Sequence, residues 1–233
     1  MSNNYHFFGC SWTGLTSVNY VQELAKLEPD HNFYNWAVQG SSISMSTFLL
    51  EQVKRKFKTP NNYFIFQVTN TGRVTWWDDE YKRWWDNKYD RAIKPEKRTN
   101  NYYRTKHRDI NNEIVGGFSA AGCPIVLARK YQKQYYRWTS SSTMNHDHRM
   151  HCHYAKNNSN FMFFHRAHAS KHEEFKDHLV VENVLGRERY QELCDQLEGK
   201  TSKKDTHHFG LEGAQWQAKW IRKVASECCR WDK

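Results

Sequence analysis

The sequence predicts an α/β fold of three layers, α/β/α, in which a parallel sheet of about five strands lies between two layers of helices. Short apolar runs alternate along the 233 residues with segments whose apolar residues have helical spacing. The run at residues 63–68 is apolar almost throughout, as is typical of a strand covered on both faces. No internal repeat or long Pro/Gly linker interrupts the pattern, which indicates a single domain over residues 1–233.

The strands and helices follow from these runs in order. Apolar runs predict strands at residues 5–9, 33–38, 63–68, 124–128 and 161–164. Helical spacing predicts helices at residues 18–27, 43–56, 110–121, 187–197 and 212–228. Such an alternation predicts a flavodoxin-like sheet, which binds its ligands at the carboxyl ends of the strands.

Two segments depart from the alternation. Residues 76–110 combine Trp pairs with dense charge of both signs and contain no strand-like run, so we expect a helical insertion over one sheet edge. Residues 139–160 are polar and rich in histidine, so we expect a loop.

The chain carries 35 Lys and Arg against 25 Asp and Glu, a formal net charge of +10. Aromatic residues make up 15% of the chain, enough for a packed core and against a disordered polybasic chain. The net charge favours anionic partners, nucleic acid among them, without choosing one. Residues 1–53 hold one Lys against four acids, a balance of −3, so the positive charge belongs to the other segments.

The chain is expected to be a soluble cytoplasmic protein. No run approaches the roughly 20 apolar residues of a membrane span, and the first six residues lack the features of a signal peptide. The six cysteines form no C-x-x-C pair, which favours reduced thiols over disulfide bridges.

Candidate catalytic residues occur where strand ends meet helix starts. Ser11 follows Gly9 and Cys10 after the first strand, and Asp205 and His208 precede the last helix. A serine hydroxyl becomes a strong nucleophile when a histidine accepts its proton and a carboxylate orients that histidine. Ser11 could instead cap the first helix. His207 competes with His208 for the role of base.

In these positions the chain resembles the SGNH (GDSL-type) hydrolases. The family's nucleophile block looks like Gly9-Cys10-Ser11, with Cys10 in place of Asp, and its second block looks like Gly40. Its last block, Asp-x-x-His with a Gly five positions later, is matched by Asp205, His208 and Gly213. The resemblance implies a catalytic triad of Ser11, His208 and Asp205, with the backbone amides of Ser11 and Gly40 in the oxyanion hole.

The third block of the family, Gly-x-Asn-Asp, is not matched. Residues 67–73 read QVTNTGR, so either the amide of Asn70 or the hydroxyl of Thr69 would supply the missing oxyanion donor. Arg73 would then reach toward an anionic substrate. SGNH-like proteins of tailed bacteriophages look similar in this block, which would place the protein in a host cytoplasm.

Two further segments are open to a functional and a structural interpretation. Eight of the 13 histidines lie between His146 and His178, but their spacing is too compact and irregular for a zinc site, so no metal is predicted.

Residues 129–138 interleave cations with aromatics, as single-strand nucleic-acid binders do. An amphipathic helix packed on the sheet would produce the same pattern.

Together the residues and the resemblance predict a serine esterase without a cofactor. Its substrate would be a small molecule or glycan carrying an O-acyl or acetyl group, on a carbohydrate or another anionic compound. The alternative is a catalytically weak or inactive protein of the same fold that binds nucleic acid or a protein through its basic aromatic surface. No membrane partner is expected.

Overall fold

A computed structural model describes residues 2–14, 18–37, 42–69, 141–166, 172–195 and 208–229 of the protein. Its strands are β1 (Asn4–Phe8), β2 (Asn32–Asn35), β3 (Asn62–Val68) and β4 (Phe161–Phe164). Its helices are α1 (Ser11–Gly14), α2 (Tyr20–Leu27), α3 (Ile43–Lys56), α4 (Ser141–Asn158), α5 (Val181–Leu185), α6 (Arg187–Asp195) and α7 (Leu211–Cys229). A 3₁₀ turn spans Glu173–Phe175.

The four described strands form one parallel sheet in the order β2-β1-β3-β4. In the middle of the sheet Phe7 pairs with Asn35 on one side and with Ile65 on the other, and Ile65 pairs with Phe161. This is the strand order of a flavodoxin-like sheet, with the reversal of strand order between β1 and β3. The predicted α/β fold with a parallel sheet is confirmed.

β1, β3 and β4 are buried on both faces, and their neighbouring aromatic side chains point to opposite sides of the sheet. Phe8, Phe66 and Phe164 pack with α3 and α4 on one face. Phe7 and Phe163 pack with α2, α6 and α7 on the other. Complete burial of each such side chain contributes roughly 1.5–3 kcal/mol. The helices therefore form two layers around the sheet, which gives the expected three-layer architecture.

Polar caps set the start of two helices and the end of one strand. Asn19 accepts a hydrogen bond from the Gln22 amide, so α2 begins at Tyr20 rather than at residue 18 as predicted. Ser42 caps α3 in the same way. Asn35 accepts from the amide of Ala37 and donates to a carbonyl of α1, which ends β2 earlier than the predicted residue 38.

The expectation of a polar loop at residues 139–160 was wrong, because the structure has a helix there, α4. The apolar stripe of α4 is narrow: Cys152 and Ala155 are buried beside an equally buried His148. Polar contacts supply the rest of the attachment to α3, including a hydrogen bond of 2.8 Å between Thr47 and His151. A helix held by small and polar side chains shows little hydrophobic periodicity in its sequence.

Several predicted features lie outside the described residues. They are the insertion at 76–110, the helix at 110–121, the strand at 124–128 and the basic aromatic stretch at 129–138. These features and the assignment of residues 1–233 to one domain stay predictions. Among the described helices, none combines the length and the apolar character that a membrane crossing requires.

Candidate active site

Ser11 lies beyond the carboxyl end of β1: the strand ends at Phe8, Gly9 and Cys10 form the turn, and Ser11 is the first residue of α1. The carbonyl of Cys10 accepts hydrogen bonds from the amides of Thr13 at 3.0 Å and Gly14 at 2.9 Å, which closes this single helical turn. The side chain of Ser11 is partly exposed at the sheet edge. This edge is where parallel sheets of this order bind their ligands.

Gly9 allows the turn to sit close to β3. A Cβ atom at this position would lie 2.5 Å from Oε1 of Gln67 and 2.7 Å from Oγ1 of Thr13. Both distances are far inside van der Waals contact, so a side chain here would push the turn away from the sheet. The glycine of the predicted nucleophile block is therefore required by close approach.

Gln67, near the end of β3, binds the same turn through hydrogen bonds of its side chain. Its Oε1 accepts from the amide of Cys10 at 3.1 Å and from the hydroxyl of Thr13 at 3.2 Å, and the thiol of Cys10 donates to it at 3.5 Å. Its Nε2 donates to the carbonyl of Val68. Because Gln67 is buried, these bonds form in a region of low dielectric and fix the position of the residue before Ser11.

The side chains of Ser11 and His208 meet across the carboxyl edge of the sheet. Nε2 of His208 lies 2.8 Å from Oγ of Ser11, within hydrogen-bonding distance. The two residues are 197 positions apart in the chain. A serine hydroxyl and an imidazole at this distance can pass a proton between them, which is what a serine nucleophile and its general base require.

A small cleft, open to solvent, adjoins this pair. Apolar side chains of α1, the segment before α2 and the start of α7 form much of its wall, together with the amide side chains of Asn19 and Gln217. The lining residues are Ser11, Trp12, Val18, Asn19, Tyr20, His208, Phe209, Ala214 and Gln217.

A chain of hydrogen bonds next to Trp12 links Gln217, His165, Tyr190 and Arg166. His165, which follows β4 and stacks on the indole of Trp12, has Nε2 at 3.3 Å from Oε1 of Gln217 and Nδ1 at 2.5 Å from the hydroxyl of Tyr190. An amide oxygen only accepts, so Nε2 of His165 carries the proton and Nδ1 accepts from Tyr190. Nε of Arg166 in turn donates to the oxygen of Tyr190. Burial holds the pKa of His165 well below its usual range, so this histidine is neutral.

Thr69, the first residue after β3, is the described part of the unmatched third block. Its side chain is buried, and its Oγ1 has no hydrogen-bond partner among the described residues. Its carbonyl accepts from Nε2 of His148 at 3.0 Å. Burial lowers the pKa of His148 to about 4, so it donates this hydrogen bond as a neutral imidazole.

The other predicted site residues lie outside the described part of the chain. They are Gly40, Asn70, Arg73, Asp205 and the competing base His207. Their roles in the triad and the oxyanion hole stay predictions.

Sequence reasoning missed three residues of the site: Gln67, His165 and Arg166. Gln67 and Thr69 both stood in the unmatched block, but nothing in the sequence showed that Gln67 would reach back to the turn before Ser11. His165 and Arg166 directly follow the apolar run of β4, and the rule that ligands bind at carboxyl ends of strands would have singled them out.

The histidines near α4 do not build a metal centre in the part of the chain that the structure describes. There, no three His, Cys, Asp or Glu side chains come together in an arrangement that could hold an ion. His148 instead contacts Nε2 of His172 at 3.2 Å and the thiol of Cys152 at 3.5 Å.

Comparisons with known proteins give little further information. No protein-family model matches the chain, and no curated protein matches it. Among solved structures, that of an acetyl xylan esterase, AlAXEase, is similar with a TM-score of 0.36 and 12% sequence identity. The match covers 95% of this chain and 98% of the esterase. At that TM-score the likeness supports no statement about activity.

Proposed function

We propose that the protein is a serine hydrolase that cleaves an ester. The observation that carries the proposal is the 2.8 Å contact between Oγ of Ser11 and Nε2 of His208 beside an open cleft. It joins a hydroxyl at a tight strand-to-helix turn with a base from a distant segment, as nucleophilic catalysis by serine requires.

The reaction would proceed through an acyl-enzyme. Ser11 attacks the acyl carbon and transfers its proton to Nε2 of His208, which gives it to the oxygen of the departing alcohol. Water then attacks the acyl-Ser11 ester, loses a proton to His208 and releases the carboxylic acid, and the proton returns to Ser11. In this proposal Asp205 accepts from Nδ1 of His208 and stabilises the imidazolium that forms.

The developing oxyanion would be bound at the carboxyl ends of β1 and β3. We propose the amides of Ser11 and Gly40 as donors, with Asn70 or Thr69 as the third. The buried hydroxyl of Thr69 supports a role for this residue, since its Oγ1 has no partner among the described residues. Removal of one such donor typically lowers kcat by about 10²- to 10³-fold.

The size of the cleft favours a short acyl group. The bulky side chains of Trp12 and Phe209 border it beside Ser11 and restrict the group that can enter. We therefore propose an O-acetyl or similarly short O-acyl ester, carried by a carbohydrate or another anionic compound.

The test combines active-site labelling with hydrolysis of 4-nitrophenyl acetate. A fluorophosphonate probe is expected to label Ser11, and Ser11→Ala is expected to abolish the adduct and lower ester hydrolysis by about 10³-fold or more. His208→Gln should do the same, because Ser11 loses its base. Ser226→Ala, which removes a serine hydroxyl from α7 at a site outside the cleft, is the matched control.

Two outcomes would contradict the proposal. One is an adduct that survives in Ser11→Ala. The other is a folded protein that shows neither the adduct nor hydrolysis. If that protein also binds single-stranded oligonucleotides in a salt-sensitive way, the nucleic-acid-binding alternative is favoured.

A further inference from the structure

We infer that Arg166 and Trp12 form a subsite for a carboxylate on the alcohol part of the substrate. The inference rests on the proposed ester hydrolysis and adds to it the charge and the position of a substrate group. It is carried by an arginine that contacts Trp12 of the candidate active site and has no carboxylate partner among the described residues.

Arg166 is the second residue after β4 and is only partly exposed. Its guanidinium carbon lies 5.8 Å from the centre of the Trp12 ring and 5.5 Å from that of Tyr190, in the range of cation–π contacts. Its Nε donates to the hydroxyl of Tyr190 at 3.3 Å. The guanidinium is thus held against two aromatic rings.

No described carboxylate comes within ion-pair distance of Arg166, although other arginines of the protein do find such partners. Arg149 pairs with Glu174, Arg189 with Glu192 and Glu212, and Arg222 with Glu28. The carboxylate of Glu182 acts on Arg166 through space, without an ion pair. Among the described residues, Nη1 and Nη2 of Arg166 make no hydrogen bond.

An unpaired guanidinium in a half-buried position is suited to binding a carboxylate. Arginine stays charged at any physiological pH, and its planar fork of N–H groups matches the two oxygens of a carboxylate. Such charge-assisted bonds are about twice as strong as neutral ones. The bond from Nε to Tyr190 directs that edge of the fork inward, which leaves the two terminal nitrogens for a ligand.

The position relative to His208 assigns the carboxylate to the alcohol part. The departing oxygen must approach Nε2 of His208 to receive its proton, and the ring of His208 lies 5.2 Å from that of Trp12. A group attached to this oxygen would then lie beside Trp12, whose ring also contacts the guanidinium of Arg166. The short acyl group would occupy the cleft that Trp12, Phe209 and Ala214 line.

The hydrogen-bond chain next to Trp12 keeps Arg166 in place before the substrate binds. Tyr190 donates to His165 and accepts from Arg166, and His165 donates to Gln217 on α7. Three segments of the chain thus position one guanidinium. A site organised in advance loses little entropy on binding, which favours recognition of the charged group.

The experiment compares two esters that differ in one charge, 3-acetoxybenzoate and its methyl ester. The wild type is expected to hydrolyse the carboxylate with the higher kcat/KM. Arg166→Gln should lower kcat/KM for 3-acetoxybenzoate by about 10- to 100-fold, mainly through KM, because a charge-assisted pair is lost. Hydrolysis of the methyl ester should stay within about 2-fold. Lys58→Gln removes one exposed positive charge near the amino end of β3, far from the site edge, and should leave both substrates unchanged.

The outcomes separate the inference from the proposed function. If neither ester is hydrolysed by the wild type, the proposed function fails. If both are hydrolysed but Arg166→Gln affects them equally, or the wild type shows no preference, the subsite is refuted while the hydrolase proposal stands. A second test needs no variant and therefore remains valid if Arg166→Gln is unstable. The preference of the wild type for 3-acetoxybenzoate should shrink as KCl is raised from 20 mM to 1 M, because salt screens the charge of Arg166. A preference independent of salt would overturn the inference.

Discussion

Gln67 offers the sharpest test of how the fold positions Ser11. One buried oxygen, Oε1, accepts the hydrogen bonds of the Cys10 amide and the Thr13 hydroxyl. Gln67→Met keeps the length and shape of the side chain but removes this acceptor. The turn that carries Ser11 should then lose both stability and its fixed position.

The magnitude follows from the groups left without partners. The Cys10 amide is orphaned in a buried position, at a cost of about 1–3 kcal/mol. Thr13 keeps its second partner, the hydroxyl of Tyr20 at 3.0 Å, so its contribution is smaller. The carbonyl of Val68 loses the donor Nε2 and adds about 1 kcal/mol. We expect the free energy of unfolding to fall by about 2–4 kcal/mol in total.

Urea unfolding measures this loss, and the rate of fluorophosphonate labelling at low urea measures the displacement of Ser11. Gln22→Met, at an exposed position of α2, is the matched control and should change the free energy of unfolding by less than about 0.5 kcal/mol. If Gln67→Met unfolds within about 0.5 kcal/mol of the wild type and is labelled at the same rate, Gln67 does not organise the turn.

Two further predictions concern the same edge of the sheet. Gly9→Ala should slow labelling of Ser11 and destabilise the protein by about 1–3 kcal/mol, because the added methyl group meets Gln67 and Thr13. Urea unfolding and the labelling rate measure these two effects. Wild-type values for both would contradict the prediction. The pKa of His148 is about 4 in the folded protein and about 6.5 unfolded, so between these values the unfolded chain binds the extra proton and stability falls as the pH falls, by up to about 1.4 kcal/mol per pH unit. His148→Gln should remove this part of the slope in urea unfolding at pH 7, 6 and 5, and an unchanged slope would show that His148 titrates normally.

The strands were predictable from sequence because burial on both faces leaves a continuous apolar run. The run at 161–164 matches β4 at both ends, and the run at 63–68 misses only the first residue of β3. The meeting of Ser11 and His208 was also predictable. Both residues stand between a strand and a helix of a parallel sheet, and the carboxyl ends of such strands share one edge.

The remainder depended on contacts between distant residues, which no local pattern records. The helix α4 is held by the hydrogen bonds of His148 and His151, so its histidines gave a polar sequence that resembled a loop. The role of Gln67 depends on a turn 57 positions earlier in the chain. That Arg166 makes no ion pair among the described residues depends on where distant carboxylates lie in the fold.

The separation of Ser11 from His208 makes the reactivity of Ser11 a reporter of assembly. His208 directly precedes α7, and α7 packs on α2 through contacts such as that between Gln215 and Glu23. Under the proposed function, Ser11 would become reactive only once α7 has docked on α2, so probe labelling would report the docking of this helix.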